Sequence, residues 1–246
     1  FADTGAEPQS VYEWLDWLEK QLSFTVHRVK EKDGLTKSLE ASAATGSRTA
    51  NAPFYTKMAD FKEVDGALVQ VSEREGMLRR KCTREFKIKP IEDKIREILG
   101  VAPGRRVPKG TMVISMQGIS LDEIQRMREN PRHWGEFTYP LVDMRMTRHD
   151  CKLWMARNGY PEPPRSACVY CPYHSNTEWR HLRDNDPEGW KEAIRVDSKI
   201  RNGIAGTTAK LYVHASLKPL ASVDLRTDED FGQMTFLAEC DGMCGM

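Results

Sequence analysis

The chain has 246 residues, 39% hydrophobic and 30% charged, which is enough length and apolar content to bury the core of an ordinary globular protein. Its 37 Lys and Arg stand against 36 Asp and Glu, so the overall charge argues neither for nor against a polyanionic partner. No run approaches the roughly eighteen apolar residues of a membrane span, and the start shows no basic-then-apolar signal pattern; the expectation is a cytoplasmic protein with no membrane partner.

In chain order, Phe1-Ala2-Asp3-Thr4-Gly5 reads as a strand end running into a turn, so further sequence is expected upstream of Phe1. Pro8 suits a first helical turn, and Val11, Trp14, Leu15, Leu18 and Leu22 recur at helical spacing. Residues 23–29 are mostly β-branched or aromatic and predict the next strand of a βαβ unit, hence a parallel sheet between helices. Residues 30–60 are polar, lack a sustained period, and predict a flexible insertion. A helix opens at Pro90, with Ile91, Ile95, Ile98 and Leu99 on one face, and Pro103, Gly104, Pro108 and Gly110 end it. Residues 111–116 predict a strand, and Ser120 with Glu123 predicts a capping box on a following helix. Thr147 caps a helix that Gly159 stops, Asn176 and Asp186-Pro187 start two more, the second reaching about Arg201, and a last strand falls near 211–213.

The expected architecture is therefore α/β. A domain over 1–145 would carry a mostly parallel sheet with helices on both faces, and a helical, Cys-rich, metal-binding lobe would follow over 146–246.

Six cysteines without an export signal favour metal or thiol chemistry over structural disulfides. Cys168-Val169-Tyr170-Cys171-Pro172 places two thiols so that both can hold one ion from a tight turn, and Cys82 and Cys151 are the most economical additions to a four-ligand sphere. Such a set accepts zinc or a 4Fe-4S iron–sulfur cluster. Near the C-terminus, Cys240 and Cys244 lie among glycines, as accessible reactive thiols do.

Asp3, Thr4, Gly5 and Glu7 occupy a βα turn, where open α/β sheets place ligands. Gly118 with Arg126 marks a second strand-to-helix turn, and Arg148 opens the helix of Cys151. Arg79 and Arg80, with Lys81, Arg84, Lys87 and Lys89, gather charge around Cys82, as a triphosphate or polyanion site would, although a solvated basic face has the same composition.

Several of these segments together resemble one family. The Phe1–Glu7 turn is similar to the Asp-Thr-Gly turn of PAPS reductases and the adenine-nucleotide alpha-hydrolase (PP-loop ATP pyrophosphatase) superfamily. The runs Gly76 to Lys87, Gly118 to Glu123, Ser166 to His174 and Glu239 to Gly245 resemble phage and bacterial members. The resemblance implies that the domain over 1–145 is a nucleotide-binding domain with a Rossmann-like sheet, with ATP or PAPS bound beside Asp3 and Gly5, Cys82, Cys168 and Cys171 as metal ligands with Cys151 the fourth, and a thiol role for Cys240. It departs from the family in Asp241, which follows Cys240 where a Gly is expected, and in the Gly-rich pyrophosphate loop, expected upstream of Phe1.

The function so implied is adenine-nucleotide-dependent sulfur chemistry, a reductase or a sulfurtransferase, with a thioredoxin-type or sulfur-donor protein as partner. Two alternatives stand beside it. One is a DNA- or tRNA-modification subunit whose basic residues and exposed aromatics Trp134, Tyr139 and Tyr173 meet nucleic acid. The other is a non-catalytic, zinc-stabilised binding protein.

Overall fold

The structure is a computed structural model that describes residues 1–49, 52–64, 66–227 and 230. It is a mixed α/β arrangement in two compact units, the first built from residues 1–94 with 165–230 and the second from 95–164.

In the first unit, β1 (Ala2–Asp3) runs parallel to β2 (Val29–Lys30), with Ala2 opposite Val29 and Asp3 opposite Lys30. The crossover is α1 (Gln9–Gln21), whose Val11 and Leu15, one helical turn apart, are its buried positions. The strand expected over 23–29 is reduced to its last residue and the one beyond. Asp16 and Glu19 of α1 hold Arg28, which fastens the connection by side chains in place of a ladder.

Residues 30–60 are not an irregular insertion. They hold α2 (Gly34–Thr45) and the start of β3 (Tyr55–Val64). Leu35, Leu39 and Ser42 are buried along one face of α2, a period masked in the sequence by alanines and serines that pack as well as they solvate. Gly46 ends the helix at φ +71°, its N–H bonded to the Ser42 carbonyl.

β3 pairs antiparallel with β4 (Ala67–Met77), from Tyr55 opposite Met77 to Val64 opposite Ala67, with a bulge at Asp60/Phe61. The sequence between the strands is Asp65-Gly66, a strong short-range hairpin signal, and Gly66 has φ +78°. On the other edge β3 meets β7 (Lys210–Tyr212) over only three positions, so among the described residues the outer half of the hairpin has no third strand. Phe61, Val64, Leu68 and Val69 are exposed there.

Residues 84–88 form a short π-helical turn leading into α3 (Lys89–Ile98). Ser175 with Glu178 caps α6 (Asn176–Asn185), and Asp186 caps α7 (Pro187–Ile200). Trp179 and Leu182 from α6, and Ala193, Val196 and Ile200 from α7, pack with Leu35, Leu39, Phe54, Tyr170 and Leu211 into the core. Asp197 is buried among them; it accepts the N–H groups of Val213 at 3.1 Å and Leu220 at 3.0 Å and pairs with Arg201.

In the second unit β5 (Val113–Met116) runs parallel to β6 (Gly135–Thr138). Short α4 (Pro140–Asp143) follows, then α5 (Arg148–Arg157), capped by Thr147 as expected, with the Asp150 side chain completing the capping box. Ser120 does not cap a helix. Leu121–Arg126 is a kinked 3-10 segment, with Glu123 bonded to Arg126 at 2.5 Å instead of reaching back. Trp134 and Tyr139, expected as exposed aromatics, are buried, and the Tyr139 hydroxyl bonds both backbone groups of Arg128; Tyr173 is half-buried in the first unit. Among the described residues no helix is long and apolar enough to cross a membrane.

Candidate functional site

The loop before α6 is threaded against the β1–α1 turn. Val169 donates its N–H to the Ala6 carbonyl at 2.8 Å, and the Thr4 hydroxyl lies 3.2 Å from Cys168 Sγ. Residues separated by 164 positions thereby share one seam. Gly5 sits at φ +74°, a left-handed conformation that suits glycine, and a Cβ there would meet Lys30 Nζ at 2.8 Å.

Glu7 organises the seam. Its side chain has no exposed surface; Oε1 accepts the Thr4 hydroxyl at 3.2 Å and faces Lys87 Nζ at 3.5 Å, while Oε2 accepts the Ser166 hydroxyl at 3.1 Å. A buried carboxylate needs such partners because removing it from water is expensive. Asp3, by contrast, serves its own turn: Oδ1 accepts the Gly5 N–H and the Tyr12 hydroxyl, both at 2.7 Å, and Oδ2 faces Lys30 at 3.5 Å.

The thiols take their character from this environment. Burial, and then the Glu7 carboxylate, push the Cys168 thiol well above its ordinary value, against the opposing effects of Thr4 and Lys87. Burial also raises the Cys82 thiol, against the Arg80 guanidinium. Burial alone would lower the Lys87 pKa, but Glu7, Cys168 and Cys82 together raise it, so it is a fixed positive charge whose field reaches both cysteines. Tyr170, fully buried between the loop cysteines, bonds Thr36 at 2.9 Å and ties the loop to α2.

Cys168 and Cys171 are joined by a turn closed by the Cys171 N–H and the Cys168 carbonyl at 2.8 Å, and a second turn runs from Cys171 to His174 at 3.1 Å. His174 is held edge-on against Trp179, centroids 4.7 Å apart, with its Nδ1 buried and without a hydrogen-bond partner among the described residues. Burial and then Arg165 push its pKa down to about 3.

The first unit thus contains Asp3, Thr4, Gly5, Glu7, Arg79, Arg80, Cys82, Cys168 and Cys171. Gly118, Arg126, Arg148 and Cys151 belong to the second. There, a Cβ on Gly118 would meet nothing within 4 Å, Arg126 is engaged with Glu123, and the Arg148 N–H bonds Asp122 at 3.0 Å. Cys240 and Cys244 lie outside the described residues.

The Cys168/Cys171 pair has the donor chemistry and spacing for a thiophilic metal. Among the described residues, however, no three Cys, His, Asp or Glu side chains are grouped so as to hold one. Loading the pair would release thiol protons.

Sequence reasoning missed Ser166 and the role of Lys87. Ser166 lies two residues before a singled-out cysteine, but nothing local signals that a serine will bond a carboxylate 159 positions away. Compared with protein-family models, curated proteins and solved structures, the chain finds no match.

Proposed function

We propose that the chain performs adenine-nucleotide-dependent sulfur chemistry at the seam between the Asp3–Glu7 turn and the Cys168–Cys171 loop. The observation that carries the reading is the Thr4 hydroxyl 3.2 Å from Cys168 Sγ: the turn read as the nucleotide side and the loop read as the thiol side are in contact. The parallel β1–α1–β2 unit is read as the edge of a Rossmann-like sheet, whose strand ends are the usual ligand position.

In this reading Lys87 stabilises negative charge as it develops on Cys168 or Cys82, and Glu7 holds that ammonium in place. Cys82, Cys168 and Cys171 are the residues of this unit that would hold zinc or an iron–sulfur cluster. Such a centre would supply thiolate ligation and, for iron, electron transfer. Cys240 and Cys244 remain the proposed exchange thiols.

A second reading, with nucleic acid as the sulfur acceptor, draws on the exposed Arg79, Lys81 and Arg84 flanking Cys82.

The test is alkylation of Cys168, mapped by mass spectrometry, with and without ATP or PAPS. Nucleotide at the seam slows labelling of Cys168 at least several-fold and leaves Cys151 unaffected. Equal labelling at saturating nucleotide, or no nucleotide binding, overturns the proposal.

A further inference from the structure

A second constellation, which shares no residue with the seam, lies in the turn that follows β7. The Ser216 hydroxyl is 2.9 Å from His214 Nδ1, and His214 Nε2 is 2.9 Å from Asn176 Oδ1 at the start of α6. Asn176 Nδ2 in turn donates to the Arg226 carbonyl at 2.7 Å. Three segments distant in sequence thus form one hydrogen-bonded chain that ends at the Ser216 hydroxyl.

The donors fix the protons along this chain. A backbone N–H can only donate, and the Ser216 N–H meets His214 Nδ1 at 3.0 Å, so Nδ1 is the bare nitrogen and Nε2 carries the hydrogen. Asn176 accepts that hydrogen with Oδ1 while its Nδ2 is committed to Arg226, which sets the tautomer and the plane of the ring. The Ser216 hydroxyl therefore donates to a bare imidazole nitrogen. His214 is buried and Ser216 exposed, so the base is shielded while the hydroxyl is open to solvent. Burial lowers the His214 pKa against the field of the buried Asp197 carboxylate, which leaves the ring neutral at pH 7 and able to take a proton. Leu217, the next residue, is at φ +54°, and its N–H closes the turn on the His214 carbonyl at 3.1 Å. A left-handed leucine is unfavourable, and such strain persists only where the surroundings impose it.

We infer that Ser216 is a nucleophile activated by His214, with Asn176 positioning the imidazole, and that this second site takes small carboxylic esters. A nucleophile within reach of a base that a third group orients is the arrangement shared by acyl-transfer sites on unrelated folds, and it is recognised by geometry rather than by order in the chain. Here Nδ1 faces the hydroxyl and Nε2 the orienting group, duties that either ring nitrogen can perform. Ser216 Oγ attacks the ester carbonyl carbon as its proton passes to His214 Nδ1. The bond from that carbon to the alkoxy oxygen then breaks, and the leaving group takes the proton away as an alcohol. Water attacks the acyl-serine by the same route, releases the carboxylic acid and restores the hydroxyl. None of these steps involves the seam or a nucleotide.

Treatment of the whole chain with p-nitrophenyl acetate, followed by p-nitrophenolate release and by mass-spectrometric mapping of acetylated residues, tests it. The wild type should be acetylated at Ser216 roughly a hundredfold faster than at Ser10, an exposed serine of α1 that serves as the internal control. Ser216→Ala should abolish the fast phase, and His214→Gln, which removes the base, should slow it roughly a hundredfold. Asn176→Leu should slow it as well, whereas Asn176→Asp keeps an acceptor for the Nε2–H and should restore the rate. Variants that melt together but react at different rates separate positioning of the base from a contact that only holds the fold. Acetylation of Ser216 no faster than that of Ser10, or a His214→Gln variant that melts and reacts as the wild type does, overturns the inference and leaves the chain of hydrogen bonds as a tie between the turn and α6. If His214→Gln does not fold, the wild type decides alone: Ser216 reacting equally fast in the native chain and in urea overturns the inference, and a rate that collapses in urea while Ser10 keeps its own supports it.

Discussion

Lowering the pH from 7 to 5 is expected to destabilise the first unit through one side chain. His174 packs edge-on against Trp179 with its Nδ1 buried and unbonded among the described residues, and burial followed by Arg165 holds its pKa down at about 3. An unfolded chain takes up the imidazole proton near pH 6.5, whereas the folded chain refuses it until about pH 3. Protons therefore favour unfolding throughout that window, and stability falls as pH drops through it. Each pH unit below 6.5 costs about 1.4 kcal/mol, or about 2 kcal/mol by pH 5. Urea unfolding followed by tryptophan fluorescence at several pH values, on the wild type and His174→Phe, measures the effect. Phe retains an aromatic edge against Trp179 and carries no proton. The variant should lose about 2 kcal/mol less than the wild type between pH 7 and 5, a difference to which His214, also lowered by burial but common to both proteins, does not contribute. Parallel pH dependences, or a folded-state His174 that titrates near 6.5 by NMR, would refute the reasoning.

Three further outcomes follow from the same physics. Asp197→Ala should destabilise by about 3–5 kcal/mol in urea, because it leaves the Arg201 charge and the Val213 and Leu220 N–H groups without their acceptor; a loss under about 1 kcal/mol would show that water replaces the carboxylate. Glu7→Gln keeps hydrogen-bonding groups near Thr4 and Ser166 but removes the charge beside Cys168, so the pH profile for alkylation of that thiol should move to lower pH; an unmoved profile would assign the raised thiol pKa to burial alone. Zinc added to the reduced protein should release protons to a weak buffer and bind roughly tenfold less tightly for each thiol displaced when the pH falls by one unit, since these thiols start protonated; binding independent of pH would exclude Cys168 as a ligand.

Helices with sharp ends were legible in the sequence. Thr147 with Asp150, Asp186 before Pro187, and Gly159 at φ +72° punctuate their helices through local hydrogen bonds or a local dihedral, and these are encoded within a few residues. The hairpin of β3 and β4 was not read, although Asp65-Gly66 marks it, because neither strand buries one face and so neither shows clean alternation. α2 was missed for a related reason: small residues surround Leu35 and Leu39, and the helix is decided by packing against α7 and Tyr170. The discontinuity of the first unit was equally hidden, since no local signal states that residue 165 returns to a domain left at residue 94. Of the site, the Asp3–Glu7 turn and the Cys168–Cys171 pair were both visible as motifs, and their contact was not.

That contact depends on a single buried carboxylate. Thr4 lies within one turn of Glu7, but Lys87 and Ser166 come from distant segments, so the carboxylate is satisfied only once the turn before α3 and the loop before α6 have both docked. A partly docked state would leave Glu7 buried with one hydroxyl and no countercharge, which costs more than leaving it in water. The penalty selects against intermediate arrangements and makes formation of the seam cooperative with folding of the unit. The Lys87 ammonium and the Cys168 thiol therefore reach their mutual positions as a consequence of folding, before any ligand arrives. In the proposed chemistry, preorganisation of this kind would let a fixed charge stabilise a developing thiolate without reorganisation at the moment of reaction.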